Sequence, residues 1–255
     1  MLAVERISAI ERALISMDCV SVADLSNSFS VTEETIRRDL DKIVQNDPSV
    51  VRVHGGAYKI KTFDHEAPYQ LREQLLVEEK ERIARASFLK IQEGDTIMLD
   101  SSTTALHLAQ YIKKSSLKIS IITNSLRIAS ELSDCDHTNL IVTGGTYRPS
   151  SRSFVGYATT TMLKELHACK AFVSCSGVHQ KFGLTDNNES EAQVRRLMLA
   201  NSDNRFLLVD SDKFLRCKNF HIADFSGIHA FLTDRQPDGN ILAALKENQV
   251  ELIIC

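Results

Sequence analysis

Apolar residues over the first 58 positions recur at helical spacing. Val4, Ile7, Ile10 and Leu14 form one stripe and predict a helix from Val4 to Ser16. Val22, Leu25 and Phe29 fall at i, i+3 and i+7 behind Ser21, a good N-cap, and predict a second, short helix. Ser30 and Val31 make a turn. Thr32 then caps a third helix whose first turn carries Glu33 and Glu34, acids that oppose the positive end of the helix dipole. Pro48 ends this helix, because the residue before a proline avoids the helical region. On the third helix Ile36, Leu40, Ile43 and Val44 share one side. Glu34, Thr35, Arg38, Asp41, Lys42 and Gln45 share the other, with Arg37 at the edge. The stretch Val50 to Ala57 alternates apolar and polar, then breaks at Gly55-Gly56, as a hairpin would.

From Glu78 the period changes. Short apolar runs sit at Thr96–Leu99, Ile119–Ile122, Leu140–Val142, Ala171–Val173, Phe206–Val209, Ala230–Leu232 and Glu251–Ile254. Segments of helical length lie between them, among them Thr104–Lys113, Leu126–Leu132, Ala158–Leu166, Glu191–Ala200 and Gly239–Glu247. Strands alternating with helices predict an α/β domain with a mostly parallel sheet covered on both faces. The expected organisation is a small winged helix-turn-helix unit over residues 1–58, a linker over 59–77 with a short helix from Tyr69 to Leu76, and the α/β domain over 78–255.

Polar clusters follow five of the apolar runs. They are Asp100-Ser101-Ser102-Thr103-Thr104, Thr123-Asn124-Ser125, Thr143-Gly144-Gly145-Thr146, Ser174-Cys175-Ser176-Gly177 and Asp210-Ser211-Asp212-Lys213. In a parallel sheet all five share the carboxyl edge, where open α/β sheets bind ligands. Hydroxyls, an amide, glycines and one lysine suit a small polyhydroxylated anion. The expected effector set is Asp100, Ser101, Ser102, Thr103, Thr104, Thr123, Asn124, Gly144, Gly145 and Lys213. Phosphate fits best where Asp100 to Thr104 joins a strand end to a helix start. Asp100 is the expected acceptor for sugar hydroxyls, and Lys213 a point charge for the anion.

The 255 residues imply one or two domains, and 43% hydrophobic with 25% charged residues is ordinary for a globular chain. The formal net charge is -3, and up to Lys61 eight Lys/Arg face nine Asp/Glu, so nucleic-acid binding has to rest on a local surface. The six cysteines are scattered, with no C-x-x-C pair and no histidine cluster, so neither a metal nor a cofactor is expected. No apolar run approaches the roughly 20 residues of a membrane span. Charge arrives by Glu5 with no signal core, so a cytoplasmic protein away from the membrane is expected.

The run Val31-Thr32-Glu33-Glu34-Thr35-Ile36-Arg37-Arg38-Asp39-Leu40, followed by Arg52-Val53-His54-Gly55-Gly56-Ala57, resembles the winged helix-turn-helix of the DeoR family of bacterial transcriptional regulators. Gly94 to Asp100, Thr123-Asn124-Ser125, Gly144 to Arg148, Ser153 to Gly156, Glu191 to Arg196 and Asp210 to Phe214 resemble that family's effector-binding half, which is similar in fold to ribose-5-phosphate isomerase. The resemblance implies a DNA-binding regulator, commonly a repressor, of a carbohydrate or related operon. It implies a double-stranded operator and a phosphorylated sugar or similar metabolite as partners. It places Thr35, Arg37 and Arg38 toward DNA. With them the expected DNA-contact set is Ser21, Ser30, Thr32, Lys42, Arg52 and His54. Three positions depart from the family pattern. Asn46-Asp47-Pro48-Ser49 replaces a glycine-containing connection to the wing, Ser102 replaces a glycine, and Arg195 replaces a lysine. A homo-oligomer, at least a dimer, would place two recognition helices on repeated half-sites. No catalytic residue is expected. The alternative reading is a sugar-phosphate isomerase with a DNA-binding appendage, for which Glu191, Asp186, Asp210 and Lys213 are the available groups.

Overall fold

The computed structural model describes residues 2–17, 19–47, 49–53, 55–59 and 68–255, in two compact units, Met1–Val77 and Glu78–Cys255. The first unit contains α1 (Ala3–Met17), β1 (Cys19–Ser21), α2 (Val22–Phe29), α3 (Glu33–Asn46), β2 (Val50–Val53), β3 (Gly56–Lys59) and α4 (Tyr69–Gln74). The three strands form one antiparallel sheet in the order β1-β3-β2. Ile10, Leu14, Leu25, Ile36, Leu40 and Ile43 from the three helices close over Val20, Val50 and Ala57 of the sheet. Burying each large aliphatic side chain contributes about 1.5–3 kcal/mol. The sequence pattern did not disclose β1, whose three residues are too few to show an alternation.

A buried ion pair joins the helices. Arg6 Nε donates to Asp39 Oδ2 at 2.5 Å, linking α1 to α3, and both residues are buried. The Arg6 guanidinium is raised above its ordinary range by that hydrogen bond, against the opposing effect of burial. The connection from α3 to β2 closes without a glycine. Asp47 Oδ1 accepts from Ser49 N at 2.9 Å and Ser49 Oγ at 2.6 Å, and Asp47 Oδ2 accepts from Lys59 Nζ at 3.1 Å. These donors, the Ser49 hydroxyl foremost, lower the Asp47 carboxyl from 3.8 to about 2. A carboxylate depressed in this way stabilises the native turn above its unfolded pKa. That contribution should fade as the pH falls from about 4 toward 2. An NMR titration of the Asp47 carboxyl carbon checks this, and a midpoint near 4 would contradict it.

The segment 59–77 is not simply a linker. Its positions 60–67 lie outside the described residues, but Tyr69 and Leu71 of α4 are fully buried in the first unit. The glycine pair explains how α4 comes so close. A Cβ on Gly56 would stand 2.8 Å from Leu71 Cδ1, and one on Gly55, at φ +81, would stand 2.7 Å from Leu75 Cδ2. The pair thus admits a packing helix as well as turning the hairpin.

In the second unit the chain passes through α5 (Val77–Phe88), β4 (Thr96–Leu99), α6 (Thr103–Lys113), β5 (Ile119–Thr123), α7 (Leu126–Leu132), β6 (Thr138–Val142), β7 (Thr146–Arg148), β8 (Ser153–Val155) and α8 (Tyr157–Lys164). It continues through β9 (Ala168–Val173), β10 (Gly177–His179), β11 (Gly183–Asp186), α9 (Glu189–Ala200), β12 (Ser202–Leu208), β13 (Phe220–Ala223), β14 (Ala230–Thr233), α10 (Gly239–Glu247) and β15 (Glu251–Ile254). Seven strands form one sheet in the order β15-β14-β12-β9-β4-β5-β6. Every pairing in it is parallel. These are the seven expected runs. Met98, Val173, Leu207 and Phe231 face a layer containing Leu163, Met198 and Leu245. Their neighbours Leu99, Phe172, Leu208 and Leu232 face Ile83, Leu106 and Ile128 on the other side. This alternation buries both faces and explains why the runs read as continuously apolar. Two small antiparallel sheets, β7-β8 and β10-β11-β13, were not apparent in the pattern. No helix among the described residues is long and apolar enough to cross a membrane.

Candidate functional site

The outer face of α3 is built from local signals. Thr32 caps it, with Thr35 N donating to Thr32 Oγ1 at 3.3 Å, and Ser30 at φ 53 closes α2 ahead of it. Ile36, Asp39, Leu40 and Ile43 are buried, whereas Glu34, Arg37, Arg38, Asp41, Lys42 and Gln45 are exposed and Thr35 is half-buried. Asp39 is thus part of the inner face, held there by Arg6. Arg38 Nε lies 3.2 Å from Glu34 Oε1 and Arg37 Nη2 lies 2.6 Å from Glu33 Oε2. Exposed pairs of this kind contribute about 0.2–1 kcal/mol, so they yield readily to a phosphate or a base edge.

Two residues of the expected DNA set have other tasks. Ser21 is buried and its hydroxyl accepts from Asp24 N, which leaves it a cap rather than a DNA contact. Arg52 donates to Asp41 Oδ1 at 3.1 Å and to the Gly56 carbonyl at 2.6 Å, so it ties the wing strand to α3. His54 lies outside the described residues.

The second candidate site follows from strand order. The chain runs β4, β5, β6 in one direction, then returns to β9 on the far side of β4 and proceeds outward through β12, β14 and β15. The order reverses between β4 and β9, and ligands bind outside the carboxyl ends of strands at such a switch point. Asp100 and Ser174 stand at those two ends. Asp100 Oδ2 accepts from Ser174 N at 3.0 Å and from Arg195 Nε at 2.7 Å, and Asp100 Oδ1 accepts from Ser102 N at 3.1 Å. Arg195 also donates to Asp186 Oδ2 and lies 4.0 Å from Glu191. Glu191 in turn accepts from Ser101 Oγ at 3.0 Å, Ser151 Oγ at 2.6 Å and Ser153 Oγ at 2.5 Å. Burial opposes the charge on Arg195. Asp186, Asp100 and Glu191 outweigh it and hold the guanidinium well above its ordinary value.

This network corrects the expected role of Asp100. Its oxygens are occupied by Arg195 and backbone donors, so it organises the rim and is not a free acceptor for sugar hydroxyls. Ser101 and Ser102 are likewise engaged, the latter as the α6 cap to Ala105 N at 3.1 Å. Thr123 is fully buried, donating to the Leu99 carbonyl at 2.8 Å. Gly145, at φ +135, is needed for packing, since a Cβ there would stand 2.7 Å from the Val155 carbonyl oxygen. Gly144 is open to solvent.

Other groups at the rim remain available. Thr103 and Thr104 carry the orphan N–H groups of the α6 start. Asn124 donates to the Phe154 carbonyl, while its buried Oδ1 has no partner. Lys213 is half-buried and forms no ion pair among the described residues. It lies close enough to Cys175 to act on it electrostatically. Burial pushes that thiol up to about 12, with Lys213 pulling the other way. Sequence reasoning missed the part played by Ser151, Ser153 and Asp186, which arrive from β7-β8 and β11. An open groove of about 520 Å³ at the amino ends of β5 and β6, lined by Lys118, Asp136 and His137 among others, lies at the opposite rim. Among the described residues no group of three or more His, Cys, Asp or Glu could hold a metal ion.

The DeoR-like helix-turn-helix domain matches residues 6–63, and the DeoR C-terminal sensor domain matches residues 76–235. The chain belongs to the DeoR family. This DeoR-family chain is 35% identical to the uncharacterised HTH-type transcriptional regulator YulB of Bacillus subtilis, over 99% of the chain and 96% of the relative. It is 30% identical to the L-fucose operon activator of Haemophilus influenzae, over 92% and 93%. It is 29% identical to the glycerol-3-phosphate regulon repressor of Escherichia coli, over 92% of each. Among solved structures it is similar to ribose 5-phosphate isomerase A of Methanocaldococcus jannaschii, at TM-score 0.40 and 17% identity over 54% of each chain.

Proposed function

We propose that this DeoR-family chain is a transcriptional regulator, acting in the cytoplasm as a homo-oligomer. It reads operator DNA with α3 and leaves it when a phosphorylated sugar or related metabolite binds at the β4/β9 switch point. The observation that carries the reading is the coexistence, in one chain, of an outward-facing Thr35-Arg37-Arg38-Lys42 helix face and a polar carboxyl rim of the parallel sheet where Lys213 forms no ion pair among the described residues. The names of the fucose and glycerol-3-phosphate relatives support a carbohydrate-linked operon. A regulator is favoured over an isomerase because the helix-turn-helix unit gives the strand-end site a sensing role, and because Asp186 and Glu191, two of the groups an isomerase could use, are engaged by Arg195 and serine hydroxyls.

Arg38→Ala should weaken operator binding by about 1–3 kcal/mol, or about 5- to 150-fold, if Arg38 reads a base edge. Fluorescence anisotropy on an operator duplex selected from genomic fragments measures this, and unchanged affinity removes Arg38 from the reading set. Lys213→Ala should keep wild-type operator affinity yet need at least tenfold more effector for release. Loss of both properties would show that Lys213 supports the fold instead. A ribose 5-phosphate turnover assay on the purified chain should be flat, and measurable isomerisation would return the enzyme reading.

A further inference from the structure

The carboxyl rim contains two kinds of carboxylate. Asp100, Asp186 and Glu191 are saturated by Arg195 and by backbone and hydroxyl donors. Asp234, just past β14, accepts from Ser211 N at 2.6 Å and Ser211 Oγ at 2.9 Å. Asp210, just past the neighbouring strand β12, differs from all of them. It is 4% exposed, makes no ion pair among the described residues, and its Oδ1 has no hydrogen-bond partner. A buried carboxylate without a donor is unfavourable, and its persistence calls for an explanation. A second orphan lies at the end of the adjacent strand, one register step before Asp210. Leu208 and Leu232 are in register, and Val209 N donates to the Leu232 carbonyl at 3.0 Å, which brings Asp210 alongside the end of β14. There Thr233 is fully buried, and its Oγ1 also has no partner. Three residues on from Asp210 is Lys213, also without an ion pair among the described residues. The ends of β12 and β14 therefore hold an acid and a hydroxyl, each with a buried oxygen that has no partner, and a cation without an ion pair among the described residues.

We propose that Asp210 is the specificity-determining acceptor of the effector crevice, binding hydroxyl groups of a polyol chain whose anionic end sits at Lys213 and the start of α6. The inference rests on the anion-binding reading above. Strands β4 and β12 are separated only by β9, so the α6 start and Asp210 lie two strand spacings apart, about 10 Å. Inorganic phosphate is too small to touch both. A phosphorylated chain of three or more carbons with a free hydroxyl can do so. A ligand bringing a second carboxylate to that position would meet Asp210 as a like charge and be rejected. The effector class is thus a phosphorylated sugar or polyol, not a phosphorylated acid.

The test compares the full wild-type chain with Asp210→Asn and Lys213→Ala by thermal melting. The probes are glycerol 3-phosphate, ribose 5-phosphate, fructose 6-phosphate, 3-phosphoglycerate, inorganic phosphate and Mg²⁺. Wild type should be stabilised by at least one of the first three and not by 3-phosphoglycerate at equal concentration. Asp210→Asn alone should melt at or above wild type, because the near-isosteric amide loses no hydrogen bond that Oδ1 makes in the native state. Its apparent affinity for the active sugar phosphate should fall at least tenfold, and its discrimination against 3-phosphoglycerate should shrink. Wild-type affinity in Asp210→Asn, a lower melting temperature without ligand, or a Mg²⁺ shift abolished by the substitution would each overturn the assignment while leaving the anion site standing. A wild-type chain unmoved by all of the phosphates, with Lys213→Ala indistinguishable from it, would overturn the anion-site reading and this inference with it.

Discussion

Arg195→Met should destabilise the sensor unit by about 3–5 kcal/mol, the range expected when one partner of a buried charge network is removed. The substitution preserves much of the side-chain volume, so the loss would be electrostatic. It would leave Asp100, Asp186 and Glu191 buried together, with Arg148 4.0 Å from Glu191 as a remaining cation beside them. Arg195→Lys should fall between the two. A point ammonium keeps the charge but cannot span Asp100 and Asp186 as the guanidinium fork does. Adding Asp100→Asn to Arg195→Met should recover part of the loss, because the two groups are in direct contact and their effects do not add. Denaturant unfolding followed by circular dichroism measures each step. A loss below about 1 kcal/mol for Arg195→Met would show that the network is not what holds the rim in shape.

A comparable effect is expected in the first unit. Arg6→Met leaves Asp39, 3% exposed, as a buried carboxylate without its cation. The expected loss is again about 3–5 kcal/mol. Operator binding should weaken with it, because Asp39 sits on the inner side of the helix whose outer side carries Arg38. The pair can be removed together at little cost. In Arg6→Met with Asp39→Leu the buried charge is gone, and stability should return to within about 1 kcal/mol of wild type. Heat-induced unfolding of wild type and the two variants, read alongside DNA anisotropy, separates these outcomes. A double variant as unstable as Arg6→Met would mean that packing, not charge, dominates at this position.

How much of this was legible in the sequence depended on range. All seven strands of the main sheet were readable, because burial on both faces makes each a short apolar run between amphipathic helices. The caps Ser21 and Thr32 were readable too, since each acts within three residues of itself, whereas Ser102, expected at the effector, caps α6. The outward side of α3 followed from angular spacing alone. The charge network was not readable. Arg195 lies 95 positions from Asp100, and only the parallel pairing of β4 with β9 and the return of α9 bring them together. Asp100 therefore looked like a ligand acceptor, when its partners are internal. The short hairpins β7-β8 and β10-β11 were missed for a related reason. With three or four residues per strand they show no period, yet they deliver Ser153 and Asp186 to the rim. Asp210 was noticed by type only, and its lack of a partner becomes visible only in three dimensions.

The proposed regulation requires one ligand to bind the DNA-free and DNA-bound forms with different affinity. The direct measurement is operator affinity of the full chain by anisotropy, with and without a saturating concentration of whichever sugar phosphate raises its melting temperature. Operator binding should weaken by about 5- to 150-fold, the usual range of a coupling free energy, and Lys213→Ala should need far more of the compound to show it. Identical operator affinity with the crevice filled and empty would contradict the account.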